Sequence, residues 1–270
     1  HGGSFKLRGA INAVRSLSEA QAANGVATHS SGNHGAALAR AARARGIRCH
    51  VVVPLGAVAS KLRLIQEQGA IVHRCAPTLI AREAALAKVL ASTGAQLIHP
   101  YDDARVIAGQ GTAAREFLQD EPALDVLLVP VGGGGLIGGT ALAASVHPRP
   151  LRVIGCEPAG ADDAARSFLA GQRLTDGPRE TIADGLRSTL GVRNFALLRE
   201  FVDTMWTVDE AGIATAMRLL WQRLRIVVEP SSAVPMAALL RHCHKIAGLR
   251  VGIILSGGNV DLDEMPWLPR

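Results

Sequence analysis

Residues 126–139 read Val-Leu-Leu-Val-Pro-Val-Gly-Gly-Gly-Gly-Leu-Ile-Gly-Gly. The first six form an aliphatic, largely β-branched run with the length of one buried strand. Four glycines follow, and then an apolar, Ala-rich stretch over 135–146 with helical character. A strand that runs through glycine into a helix is the building unit of a parallel α/β sheet. Four consecutive glycines cost backbone entropy on folding, so a bare turn explains them poorly. Backbone N–H groups with no side chains in the way, placed at a helix N-terminus, suit a phosphate.

The same alternation extends along the chain in both directions. Strands are predicted over 26–29, 49–53, 70–73, 96–98, 126–131, 151–156, 201–207 and 250–255. Helical patterns occupy 8–17, 35–45, 60–68, 79–92, 109–119, 135–146, 209–223 and 233–242. This order predicts parallel sheets covered by helices on both faces, joined by right-handed crossovers. Repeats, heptads and flexible linkers are absent from the sequence.

Composition agrees with that class. The 270 residues are 48% hydrophobic and 19% charged, enough chain for one large or two modest domains. Apolar runs fall short of the ~18–20 residues that a membrane-spanning helix needs, so no membrane partner is expected. Lys and Arg exceed Asp and Glu to give a net charge of +6. The arginines are scattered along helical stretches, as at Arg40, Arg43, Arg45 and Arg48, and aromatics make up only 3% of the chain, so nucleic acid is not an expected partner. Cys49, Cys75, Cys156 and Cys243 show no C-x-x-C spacing, which argues against a disulfide framework or zinc site and for a reducing, cytoplasmic location. The chain starts at His1 with neither an initiator Met nor a signal-peptide pattern, as expected of a fragment or trimmed chain.

Three further segments carry polar chemistry. Ser30-Ser31-Gly32-Asn33-His34-Gly35 follows a predicted strand and opens an Ala-rich helix, which makes it either an anion site or an ordinary strand-to-helix turn. Ser256-Gly257-Gly258-Asn259 ends the last apolar strand, at the edge where α/β proteins bind ligands. Ser4-Phe5-Lys6 precedes a helix near the start. A competing reading exists for the glycine run. Gly133, Gly135 and Gly138 fit a dinucleotide fingerprint, and Glu157 ends the next strand where a ribose-binding acid belongs, which would make the chain an NAD-dependent dehydrogenase. That reading leaves the other loops unexplained.

Taken together, these segments resemble the fold-type II pyridoxal-phosphate enzymes, in the serine/threonine dehydratase and serine racemase branch. The resemblance runs from Gly3 to Asp261 and includes Val-Ile-Ala-Gly-Gln-Gly-Thr at 106–112, Glu157-Pro158, Glu-Thr-Ile-Ala-Asp-Gly at 180–185 and Glu229-Pro230-Ser231. It implies an α/β fold of the tryptophan synthase β-like kind, with two parallel-sheet, three-layer α/β/α domains and the cofactor between them. The smaller domain is expected over 25–101 and the larger over 1–24 and 102–270, with an N-terminal segment missing. The activity implied is dehydration and deamination of L-serine or L-threonine to a 2-oxo acid and ammonia. Serine racemase and hydroxyaspartate dehydratase are the alternatives within the family.

The resemblance also assigns roles to residues. Lys6 carries pyridoxal phosphate as a Schiff base and moves the α-proton on one face, while Ser31 is the acid/base on the other. Phe5 packs against the cofactor ring, Asn33 binds its 3′-oxygen, and Ser256 faces the pyridine nitrogen. Gly132, Gly133, Gly134 and Gly135 hold the phosphate. The substrate carboxylate falls to Ser30, Ser31, Gly32, Asn33 and His34. Glu157, Ala161 and Asp163 are the expected ligands of Mg²⁺, or of Ca²⁺ or Mn²⁺; a helix N-terminus that favours Asp162 and Asp163 is the plainer explanation of those two acids. A homodimer acting on a small hydroxy amino acid is expected.

Overall fold

The computed structural model describes residues 2–30, 32–57 and 59–267. The chain divides into two compact units, His1–Gly109 and Gln110–Arg270. The first contains α1 (Lys6–Arg15), α2 (Glu19–Ala22), β1 (Val26–His29), α3 (Asn33–Arg45), β2 (Cys49–Pro54), α4 (Ala59–Glu67), β3 (Ile71–Cys75), α5 (Leu79–Thr93) and β4 (Gln96–Leu97). Helix α6 (Ala104–Asp120) contains the boundary. The second unit continues with β5 (Val126–Pro130), α7 (Gly135–Ser145), β6 (Arg152–Pro158), α8 (Asp163–Ala170), α9 (Val192–Phe201), β7 (Thr204–Val208), α10 (Glu210–Leu224), α11 (Pro230–His242) and β8 (Val251–Ile253).

Each unit has one parallel sheet of four strands, ordered β3-β2-β1-β4 in the first and β7-β6-β5-β8 in the second. The central strands β1 and β2 of the first sheet are buried on both faces because helices cover both. Val51 and Val53 join a core with Ala37, Leu38 and Ala41 of α3, whereas Ala27 and Val52 meet Leu86 and Val89 of α5. Small residues Ala10 and Ala13 on α1 bring that helix onto α3 in the same core. In the second unit, Val126, Leu128, Ile154 and Cys156 pack against Ile213 and Met217 of α10 and Ala233 and Ala237 of α11.

The two sheets share one winding. In each, the first two crossovers build outward on one side and the last strand returns to the other side of the first. Beside β1 and beside β5, the chain therefore leaves neighbouring strands in opposite directions, and a crevice opens at their C-terminal ends. In the first unit the loops at this edge follow β1 and β4; in the second they follow β5 and β8.

Several boundaries differ from expectation. The strand expected over 201–207 begins only at Thr204, because the preceding residues form α9, whose Ala, Leu and Arg content favours helix. The last strand stops at Ile253 rather than 255. The helix expected from 233 starts at Pro230, where a missing N–H is harmless in the first turn. All four cysteines are free thiols, as expected. Among the described residues no helix is long and apolar enough to cross a membrane.

Leu128 is fully buried on the central strand β5. Leu128→Ala is expected to destabilise the second unit by about 2–5 kcal/mol, read as a lower midpoint of denaturant unfolding; an unchanged midpoint would contradict this packing.

Candidate active site

In the first unit, the crevice edge joins the lysine to the serine–glycine–asparagine loop. Strand β1 is prolonged by a bond from Ser30 N–H to Val52 O at 3.1 Å, after which the chain turns into α3 with Gly32 as N-cap. The Ser30 hydroxyl accepts from Gly32 N–H at 3.4 Å. A helix start presents N–H groups that lack intrahelical acceptors, and here they belong to the loop assigned to the substrate carboxylate. On the other side of the crevice, after β4, Pro100 O accepts from Lys6 Nζ at 2.9 Å. The same ammonium lies 5.1 Å from the centroid of the Phe5 ring. Ser31 lies outside the described residues.

Three histidines line this edge, and hydrogen bonding identifies the tautomers of two. His34 is 2% exposed and places Nε2 3.3 Å from Ile98 O. A carbonyl only accepts, so Nε2 carries the proton and Nδ1 is an acceptor. That Nδ1 is buried and has no partner among the described residues. Burial, followed by the charge of Lys6, pushes His34 down to about 3, so its ring stays neutral. It therefore offers an anion no ring proton, and any contribution to a carboxylate falls to its backbone N–H.

His99 has the same tautomer, fixed from its other nitrogen. Its Nδ1 accepts from Asp102 N–H at 2.9 Å and Tyr101 N–H at 3.4 Å, which puts the proton on Nε2. Burial and the neighbouring His29 push it down to about 4. His29 is lowered as well, first by burial and then by Arg82. The rings meet edge to face, with centroids 5.9 Å apart for His29–His99 and 4.6 Å for His99–Tyr101. Burial thus favours the neutral rings of His34 and His99. Sequence reasoning passed over His99 and Pro100; the available signal was a His-Pro pair directly after a predicted strand.

In the second unit, the glycine run leaves β5 and enters α7. Two of its glycines are required by close approach. A Cβ on Gly132 would lie 2.9 Å from Leu186 Cα, and one on Gly134 would lie 2.7 Å from both Asn194 Cβ and Leu190 Cδ1. Gly134 also has φ of 86°, in the left-handed region that favours glycine. The carbonyl of Gly133 accepts from Gly191 N–H at 3.1 Å and from Asn194 Nδ2 at 2.6 Å. The result is a side-chain-free cradle of backbone at the start of α7, of the kind that admits a phosphate.

Ser256 lies at the neighbouring strand end, 3% exposed, beyond β8. Its loop is tied to α11. Gly257 N–H donates to Ser232 Oγ at 3.4 Å, and Gly257 O accepts from Glu229 N–H at 3.0 Å. Ser231 Oγ accepts from Gly185 N–H at 3.1 Å, which draws in the 184–186 turn as well. Thus the loops after β5 and β8, distant in sequence, flank one crevice.

Comparison with known proteins identifies the family. The family described as "Pyridoxal-phosphate dependent enzyme" matches residues 1–257. The chain belongs to this family. It is 49% identical over 265 residues to the beta-hydroxyaspartate dehydratase of Paracoccus denitrificans, covering 98% of this chain and 84% of that protein. Maize serine racemase superposes with a TM-score of 0.94 at 43% identity, over 97% of this chain and 81% of that one. The T.th. threonine deaminase does so with a TM-score of 0.90 at 41% identity, over 96% and 84%. The fold is that of the fold-type II pyridoxal-phosphate enzymes, as expected, and membership sets aside the nicotinamide reading of the glycines.

Glu157 fails the ribose-binding role for a local reason too. It is fully buried, and its carboxylate accepts from Ala165 N–H at 2.7 Å and Ala164 N–H at 3.3 Å at the start of α8. Asp163 Oδ2 accepts from Leu190 N–H at 2.8 Å. Burial raises both carboxyls, Glu157 well above its ordinary value. Neither forms an ion pair with Lys or Arg among the described residues. Ala161 is buried in the loop between them, 3% exposed. Two buried carboxylates without a paired cation suit a divalent metal, although the described residues hold no cluster of three His, Cys, Asp or Glu.

The neutral histidines make the first unit sensitive to acid. An unfolded histidine titrates near ~6.5, whereas His99 is held at about 4 and His34 at about 3. Between those values the unfolded chain binds more protons, so stability is full above about pH 6.5 and falls as the pH drops through this window. His99→Asn keeps an acceptor for Asp102 N–H but does not titrate. Thermal unfolding from about pH 6.5 to about pH 4.5 should show a shallower loss in this variant than in the parent. Equal slopes would contradict the neutral assignment.

Proposed function

We propose that this chain is a pyridoxal-phosphate dependent dehydratase of β-hydroxy amino acids, an ammonia-lyase that forms a 2-oxo acid and ammonia from L-serine or L-threonine. Ser256 is the observation that carries the reading. Ser256 places a buried hydroxyl at the β8 edge of the second unit's crevice. A hydroxyl cannot hold a pyridine nitrogen protonated as a carboxylate would. When bound, the cofactor supplies an electron sink for the α-carbon; a weaker sink favours loss of a β-substituent over a long-lived carbanion. The names of two relatives, a beta-hydroxyaspartate dehydratase and a threonine deaminase, support the same class of reaction.

In this reading, Lys6 anchors the cofactor, and the backbone of Gly132, Gly133, Gly134 and Gly135 receives its phosphate. Asn33 would bond the ring 3′-oxygen, Phe5 would pack on the ring, and Ser256 would face the nitrogen. The substrate carboxylate is assigned to Ser30, Ser31, Gly32, Asn33 and His34. Lys6 Nζ would take the α-proton, and the β-hydroxyl would depart as water by taking up a proton, the one that Lys6 had received. The released enamine then takes up water and loses ammonia. Glu157, Asp163 and the Ala161 carbonyl would hold Mg²⁺, or Ca²⁺ or Mn²⁺ in its place. We assign 25–101 to the smaller domain and 1–24 with 102–270 to the larger, in a cytoplasmic homodimer.

Serine racemase is the second reading, favoured by the likeness to the maize enzyme. It differs in requiring an acid/base group on each face of the α-carbon, one to remove the proton and one to return it, the second being Ser31. One assay separates the two by measuring 2-oxo acid and D-serine from the same L-serine reaction, with L-threonine and β-hydroxyaspartate run alongside. We expect more 2-oxo acid than D-serine, and loss of both products in Lys6→Ala. In Ser31→Ala, D-serine formation should fall by ~100-fold or more while dehydration falls less. D-serine without 2-oxo acid would overturn the dehydratase reading.

The metal is tested on stability. A cation that binds only the folded state stabilises it by mass action, about 2.7 kcal/mol at a hundredfold excess over Kd. Mg²⁺ should raise the melting temperature of the parent and leave that of Asp163→Asn nearly unchanged; equal responses would reject these ligands.

A further inference from the structure

Two donors at the start of α9 meet the phosphate loop at one carbonyl. Gly133 O receives Gly191 N–H at 3.1 Å and Asn194 Nδ2 at 2.6 Å, both from the start of α9. In a planar trans peptide, a carbonyl and the following N–H point in opposite directions. Anchoring Gly133 O on α9 therefore turns the Gly134 N–H away from that helix. Gly134 is pressed against Asn194 and Leu190 so closely that no Cβ fits. The shape of the cradle thus depends on where residues 190–194 stand.

Those residues are tied in turn to the buried carboxylates. Asp163 Oδ2 accepts from Leu190 N–H at 2.8 Å, one residue before the Gly191 that bonds Gly133. Asp163 is 6% exposed and Asn194 is fully buried. If Asn194 served packing alone, an aliphatic residue of like volume would fill the space without the cost of desolvating an amide. Its amide instead donates to the loop.

We propose that Asp163, Leu190 and Asn194 form a positioning strut, through which a divalent cation on the Glu157 and Asp163 carboxylates strengthens the hold of the glycine loop on pyridoxal phosphate. The inference rests on the proposed function's reading of Gly132, Gly133, Gly134 and Gly135 as the phosphate site. A cation draws the two carboxylates together and steadies Asp163, hence Leu190, hence the donors to Gly133 O. Linkage makes the effect reciprocal: cofactor binding tightens the cation by the same factor.

The test is a titration of cofactor-free protein with pyridoxal phosphate, followed by equilibrium dialysis, in saturating MgCl₂ and in chelator. The proteins are the parent, Asn194→Ala and Asn194→Asp. The aspartate variant keeps the volume of asparagine but has no N–H for Gly133 O, and so carries the test if the alanine variant does not fold. In the parent, Mg²⁺ should lower the Kd for pyridoxal phosphate on the order of 5- to 150-fold. In the variants, the ratio of the two Kd values should collapse toward one, while Mg²⁺ binding measured calorimetrically without cofactor persists. A merely structural role for Asn194 would weaken both Kd values equally and leave the ratio intact, which overturns the proposal. So does a parent whose Kd is indifferent to Mg²⁺. A parent that binds no pyridoxal phosphate in either buffer overturns instead the phosphate-site reading beneath it.

Discussion

The reversal of winding beside the first strand of each sheet is the constraint on which the rest of the site depends. A parallel sheet must cross over through helices, and once the last strand returns to the far side of the first, two neighbouring strands send their chains apart. A crevice is left at their C-terminal ends. In the first unit this edge brings the loop at 30–34 to the residues after β4, where Pro100 holds the Lys6 ammonium. In the second it brings the glycine cradle to Ser256. Both halves use one device, and their functional residues sit at corresponding places in it.

Burial biases ionisable groups of both units toward their neutral forms. On the Lys6 side, histidines are kept neutral by burial, with ring protons committed by backbone groups at Ile98, Tyr101 and Asp102. Pro100 O and the Phe5 ring, which meet the ammonium, are neutral as well. In the second unit, the buried carboxyls of Glu157 and Asp163 accept from backbone N–H groups, and burial raises both above their ordinary values.

Much of the site was legible because it lies in short contiguous runs. Glycine repeats, Ser-Gly-Asn turns and a lysine beside an aromatic are local patterns, and local backbone geometry demands them. The residues that escaped notice act across the chain. Asn194 is an ordinary polar position in a helix that sequence reading did not even assign, yet it bonds a carbonyl 61 residues away. Pro100 O reaches Lys6 over 94 residues. The ring of His34 was expected among the groups for a carboxylate; only its 3.3 Å contact with Ile98 O, 64 residues distant, identifies the tautomer and leaves its ring without a proton for an anion.

By itself the sequence determined the class of fold, the alternation of strand and helix, the phosphate-type glycine loop and the family resemblance, since each is written in periodicity or in adjacent residues. The order of strands within each sheet was decided only in three dimensions. So were the pairing of loops at each crevice, the burial that neutralises His34 and His99, and the line of contacts from Asp163 to Gly133. Periodicity records which face of an element is buried, but not what it is buried against. Hydrogen-bond tautomers, desolvated charges and a carbonyl's direction are properties of that partner, and the partner exists only once the chain has closed on itself.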